Sequence, residues 1–135
     1  MCCKGRKCFG EHSLLLVRYQ GAVKLMTITQ ILGLNVLERI EVPNDVGIWK
    51  RIQKLEWTGD ETVYELSEWP LYVSAHHDVR TICDRERVMG KTDTKQNVYE
   101  LTVEDTDTIL VGTYYAEVTR GEKGCEKQEL LSNRS

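Results

Sequence analysis

The sequence predicts an all-β fold of about nine short strands, and three observations carry that reading. Apolar segments recur roughly every 8–12 residues and are separated by turn residues. Several of them alternate apolar and polar side chains, as a half-buried strand does. Their interiors are rich in β-branched residues, which pack well on a pleated surface. No long stretch shows the 3.6-residue period of an amphipathic helix.

In chain order, Leu14–Tyr19 reads as a strand and Gln20-Gly21 as a turn. Val23–Leu32 reads as a strand from its β-branched density, with a helix as the rival because Ile28, Ile31 and Leu32 also fit a helical period. Val36–Val42 alternates and stops at Pro43-Asn44-Asp45, residues suited to a turn. Ile48–Trp57 and Thr62–Leu66 read as two strands joined at Thr58-Gly59-Asp60. Trp69–Ser74 follows, with Pro70 marking an edge or entry position. Val79–Cys83 is a short strand, and Val98–Val103 is the clearest of all. Gly112–Thr119, a turn over Arg120–Gly124 and a last strand over Cys125–Leu131 complete the pattern.

The 135 residues suit one domain, able to bury roughly two-thirds of its unfolded surface. Residues 1–12, basic and rich in cysteine, read as a flexible leader, and residues 13–132 as the domain. Hydrophobic content of 41% and charged content of 29% argue against disorder. A net charge of −3 argues against a nucleic-acid partner, because phosphate neutralisation needs a basic surplus. No apolar run approaches the ~20 residues that span a bilayer. The five cysteines are too uneven for a secreted disulfide framework, which leaves Cys83 and Cys125 as the one pair to consider. The chain as given therefore reads as cytoplasmic, or as extracellular if it is a fragment of a longer receptor.

The stretch LTVEDTDTILVGTYYAEV, residues 101–118, carries a resemblance. Leu101 and Val103, an acidic loop, and then Gly112-Thr113-Tyr114 resemble strand E, the following loop and strand F of the immunoglobulin superfamily. That resemblance implies a two-sheet sandwich, with Gly112 and Tyr114 at a tyrosine corner. Ala116 stands where the family has its strand F cysteine, and the segment matched to strand B, Lys24–Thr29, has no cysteine either. The core would then hold by packing, as suits a reducing compartment or a diverged viral accessory protein. A second resemblance is to lipocalins, through the Gly-x-Trp of Gly47-Ile48-Trp49, and would imply a small-ligand barrel.

Chemistry-bearing residues are sparse. His76-His77-Asp78 holds the one histidine pair, but neighbours on a strand point to opposite faces and a zinc site needs three or four convergent ligands. A solvated loop is the expected setting, and a small metal-binding protein a lesser alternative. Glu104, Asp105 and Asp107 read as a solvated acidic loop. Cys2 and Cys3, followed by Lys4, Arg6 and Lys7, resemble acylated N-termini, so a membrane partner is expected only if those cysteines are acylated. Trp49, Trp57, Trp69, Tyr64 and Tyr72 cluster within a short span and form the candidate binding face, since aromatics anchor interfaces. The expected function is a non-enzymatic recognition module that binds another protein, or a second copy of itself, through that face or its end loops. No cofactor and no catalytic residue is expected.

Overall fold

A computed structural model describes residues 8–66, 69–74, 77–83 and 92–123. The chain is mostly β, as the sequence predicts. Its elements are β1 (Cys8–Gly10), β2 (Leu14–Tyr19), β3 (Ala22–Thr27), α1 (Ile28–Leu34), a 3-10 turn (Leu37–Arg39), β4 (Ile40–Pro43), β5 (Trp49–Glu65), β6 (Tyr72–Val73), β7 (Val79–Thr81), β8 (Thr92–Glu104), β9 (Thr108–Val111), β10 (Tyr114–Glu117) and β11 (Thr119–Gly121).

The spine is an antiparallel ribbon of β5 and β8, paired from Ile52 opposite Val103 to Glu65 opposite Thr92, with a first register shift between Ile52 and Lys54. Its register shifts between Trp57 and Gly59, where Gly59 takes φ +143°. This irregularity is what the sequence presents as a turn at Thr58-Gly59-Asp60. The chain instead continues straight through it, because β8 supplies a partner along the whole length. The first three residues of β5, Trp49 to Arg51, pair with β4 and its last two pair with β6. β1 lies between β6 and β8. The pairings β8–β1, β1–β6, β6–β5 and β5–β8 therefore close a small ring. β9, β10 and β7 form a separate three-stranded sheet.

Several expectations are corrected by this arrangement. Residues 8–10 are not leader: Cys8 and Phe9 have no exposed surface and β1 is an integral strand. Phe9 joins the main core with Leu15, Val17, Leu101 and Val103. Val23–Leu32 divides into β3 and α1. A capping box makes the break: the Gln30 N–H donates to Thr27 Oγ1 at 3.1 Å, and the Thr27 N–H donates to Gln30 Oε1 at 2.9 Å. The α1 helix ends at Asn35 in the left-handed region.

The corner assignment for Gly112, Tyr114 and Ala116 also changes. β9 and β10 form a tight antiparallel hairpin, with Tyr114 opposite Val111 and Ala116 opposite Ile109. Gly112 is the hairpin turn, at φ +60°, and Tyr114 is a buried ladder residue paired on its other side with Thr81. Ala116 is buried between Ile109 and Val79, away from β3. The segment Arg120–Gly124 begins as β11, parallel to β8, rather than as a turn. Cys125–Leu131 lies outside the described residues.

Candidate functional site

The ring closed by β1, β5, β6 and β8 brings Cys8 against Val63, Val98 and Tyr72 in a small apolar cluster. Ser13 pins the ring: its hydroxyl donates to the Tyr72 carbonyl at 3.0 Å and accepts from the Tyr72 N–H at 2.9 Å. Sγ of Cys8 lies 3.5 Å from Oγ1 of Thr58, the residue at the β5 irregularity. The Thr58 hydroxyl in turn donates to the Val98 carbonyl at 3.3 Å. Cys8 is disulfide-bonded.

The main-chain carbonyl of Cys8 gathers a second set of contacts. It accepts from the Ser74 N–H at 3.3 Å, as β6 ends. The chain then turns, with the His77 N–H donating to the Ser74 carbonyl at 3.2 Å. This turn delivers the His77 ring to the same carbonyl, with Nδ1 at 2.9 Å. Nε2 of the ring lies 2.6 Å from the carbonyl oxygen of Glu117, at the end of β10. The adjoining Glu117 N–H donates to the Asp78 carbonyl at 3.1 Å. The Phe9 ring meets the imidazole edge-on at a centroid distance of 4.5 Å. His77 is 3% exposed, so these contacts are made away from water.

This geometry constrains the ring chemically. A neutral imidazole carries one N–H and one bare nitrogen, and a carbonyl oxygen only accepts. Two carbonyl partners on one ring are therefore both satisfied by the doubly protonated form. Burial keeps water from replacing either bond, which raises the cost of leaving one unmade.

Two tyrosines near the ring titrate away from their usual range. Burial pushes the Tyr72 phenol up, and the Glu65 carboxylate beside it adds to the shift. Burial, and then the charge of Glu11, does the same to Tyr99. A recess of about 170 Å³ opens next to Glu117, lined by Asp45, Asp78, Arg80, Asp107 and Tyr115 among others.

The five aromatics of the expected binding face do not share a surface. Trp69 packs on the core, and its indole N–H donates to the Leu14 carbonyl at 2.6 Å. Tyr72 packs against the Cys8 cluster. Trp49 lies under the Arg18 guanidinium, 5.0 Å from the ring centroid. Trp57 is 59% exposed and donates to Asn97 Oδ1. It sits on the same strand as Trp49, about 26 Å away at roughly 3.3 Å per residue. Tyr64 is half-buried at the far end of that strand. Asp105, expected in a solvated loop, anchors Lys50, Arg120 and Lys123 at 3.4–3.8 Å. Cys83 is exposed and free, so the pairing with Cys125 is not made. Cys2, Cys3 and His76 lie outside the described residues. Among the described residues, no group of three potential ligands could hold a metal ion.

The arrangement of ring, long ribbon and flanking hairpin is similar to the fold of solved inteins. Two solved structures share it at TM-scores above 0.5. One is a mutant of the Ssp DnaB mini-intein, with TM-score 0.57 and 14% identity, covering 82% of this chain and 90% of that one. The other is the DnaB intein from Synechocystis sp. PCC 6803, with TM-score 0.55 and 14% identity, covering 83% of this chain and 98% of that one. No family model matches the chain, and no curated protein matches it. The expectation of a chain without enzymatic chemistry is corrected here, because the solved structures that share its fold are inteins.

Sequence reasoning passed over both residues at the centre of this site. By sequence alone Cys8 belongs to a basic leader and His77 to a solvated loop. One local signal marked the first: Phe9 is too apolar for a solvated leader, and it follows Cys8 directly. Nothing local marks His77, since its partners lie 69 and 40 residues away.

Proposed function

We propose that this domain acts on its own chain, moving the acyl group of residue 7 from the amide nitrogen of Cys8 to the Cys8 sulfur. The observation that carries the proposal is His77 Nδ1 at 2.9 Å from the main-chain carbonyl of Cys8, in a buried setting. The likeness to mini-inteins supports it, and in one of those proteins a histidine-to-alanine substitution is present.

The step balances without any added cofactor. The reduced Cys8 thiol loses its proton to solvent base, and the thiolate attacks the carbonyl carbon of residue 7 through a five-membered ring. The carbon–nitrogen bond breaks, the departing Cys8 nitrogen takes up a proton, and a thioester replaces the amide. His77 supplies what a doubly protonated imidazole can supply. It holds the Cys8 main chain still through its carbonyl, and its N–H can protonate the departing nitrogen once that contact loosens. Thr58 stands at the sulfur and orients it. The disulfide on Cys8 must be opened first, because a sulfur already bonded to sulfur is not a nucleophile.

The test fuses a soluble reporter domain ahead of Met1 and reduces the full chain with a phosphine, which opens disulfides without attacking thioesters. Added thiol should then release the reporter with residues 1–7, read by intact mass. Cys8→Ala should abolish release. His77→Ala should slow it by about 10²–10⁴-fold, the range of a positioned proton donor, while the fold persists by circular dichroism. Release that survives Cys8→Ala, or that never occurs in the reduced protein, refutes the proposal.

A further inference from the structure

The large sheet ends at β3, whose outer side meets no other strand among the described residues. The β2–β3 hairpin fixes which groups face that side. Gln20 and Gly21 take φ +54° and +78°, as in a type I′ turn, so Tyr19 and Ala22 close it as a hydrogen-bonded pair. Ala22, Lys24 and Met26 therefore spend their main-chain groups on β2, while Val23, Leu25 and Thr27 aim theirs at the open side. Two bonds at the strand end agree. The Ile28 N–H donates to the Ser13 carbonyl at 3.2 Å, and the Thr27 N–H donates to Gln30 Oε1 at 2.9 Å. Both main-chain groups of Val23 and of Leu25 are left without a partner among the described residues.

An open edge is ordinarily blunted by a proline, a bulge or a charge that projects along it. β3 contains no proline, and its pairing with β2 runs without a register shift. Its one charge, Lys24, is drawn back over its own hairpin, with Nζ 5.6 Å from the centroid of the Tyr19 ring. The side chains beside the open groups are apolar instead. Val23 is 57% exposed and Leu25 is 49% exposed. Leu25 stands directly opposite the half-buried Leu16, so Val23, Leu25 and Leu16 share one face.

We propose that β3 docks a second copy of this chain, strand against strand, antiparallel about a two-fold axis at Lys24. Val23 then faces Leu25 of the second copy, and Leu25 faces Val23 of the second copy. Each is a hydrogen-bonded pair, so four main-chain bonds use every open group on both edges. A shift of register brings in Thr27, whose N–H is already committed, or Gly21, which lies in the hairpin turn at φ +78°. The edge is thus its own complement, and the second copy also covers the apolar face that Val23 and Leu25 leave in water. The two Lys24 side chains stand opposite each other and each copy carries a net charge of −3, so salt favours the pairing. One strand a side is far less than the roughly 20–30 residues of a standard interface, which makes the dimer weak and dependent on concentration. None of this rests on the acyl shift.

The experiment sediments the full chain from low micromolar to millimolar concentration, kept reduced so that the exposed Cys83 links no copies. The mass should rise from monomer to dimer across that range, and further in high salt than in low. Residue-resolved amide exchange should be fast at Val23 and Leu25 in the dilute sample and several-fold slower in the concentrated one, while Lys24 and Met26 stay slow in both. Val23→Lys, at an exposed position and with the fold checked by circular dichroism, should weaken association by about tenfold or more, because it removes both apolar pairs. Lys24→Thr should strengthen it. A chain that stays monomeric at millimolar concentration overturns the proposal. So does a dimer that leaves exchange at Val23 and Leu25 unchanged, or one that persists in Val23→Lys. Growth past the dimer overturns the two-fold pairing, which leaves no open group on β3 for a third copy. If the chain stays monomeric while an added extended peptide of unrelated sequence slows those two amides, the edge serves a different partner and the proposal falls.

Discussion

Replacing Gly112 by alanine isolates the contact that fixes the β9–β10 hairpin, and through it the position of Glu117. The residue sits at φ +60°, where a Cβ costs about 1–2 kcal/mol. That Cβ would also fall 2.2 Å from Cδ2 and 2.4 Å from Cε3 of Trp69. Carbon atoms rest about 3.5–4.0 Å apart, so the indole must retreat by more than an ångström. The ring cannot retreat freely, because its N–H is bonded to the Leu14 carbonyl at 2.6 Å. Losing that bond in a half-buried setting adds about 1–3 kcal/mol. Gly112→Ala should therefore cost about 2–5 kcal/mol, a large part of the ~5–15 kcal/mol that holds a small domain folded. Gly47→Ala is the control, since Gly47 has φ +86° but nothing within 4 Å of its would-be Cβ. It should show the backbone term alone, about 1 kcal/mol. Urea denaturation followed by far-ultraviolet circular dichroism measures both. Equal costs for the two variants would refute the steric argument and the role given to Trp69.

Two further outcomes follow from the ribbon and the ring. Arg18→Met removes a guanidinium that meets Glu41 at 2.7 and 2.8 Å and covers Trp49, and should lower stability by about 0.5–1.5 kcal/mol in low salt, less in high salt, by the same denaturation assay. The Tyr72 phenol is raised by burial and by Glu65, so its neutral form is favoured in the fold. The corresponding stability is complete below the ordinary tyrosine value near 10 and is lost as pH rises through the raised one. An absorbance titration should show late phenolate formation, and Glu65→Gln should move it earlier; an unchanged titration in that variant would remove Glu65 as a cause.

What the sequence made legible was local. Leu14–Tyr19, the Gln20-Gly21 turn and the Val98–Val103 segment are recoverable because alternation and turn chemistry act over a few residues. Gln20 and Gly21 take φ +54° and +78°, as a two-residue hairpin loop requires. The reading failed where distant partners decide. Thr58-Gly59-Asp60 has the composition of a turn, and only the presence of β8 alongside makes it a strand irregularity. Gly112-Thr113-Tyr114 fits both a corner and a hairpin, and the choice depends on β7 arriving as a third strand. The segment Val23–Leu32 could have been divided from sequence, because Thr27 and Gln30 stand at capping-box spacing.

The candidate site was illegible for a related reason, and the same fact bears on its chemistry. His77 joins the first described residue of the fold to the end of β10, two points brought together only by the closed ring and the hairpin. An imidazole with a carbonyl oxygen at each nitrogen is suited to hold backbone in place, whichever nitrogen carries the proton. The Cys8 sulfur instead faces Thr58 and an apolar cluster. The sulfur and the main-chain carbonyl of Cys8 thus meet different partners, Thr58 and His77. On the proposed acyl shift, a base acting on the thiol must come from solvent or from the substrate segment itself, and the release rate should climb with hydroxide.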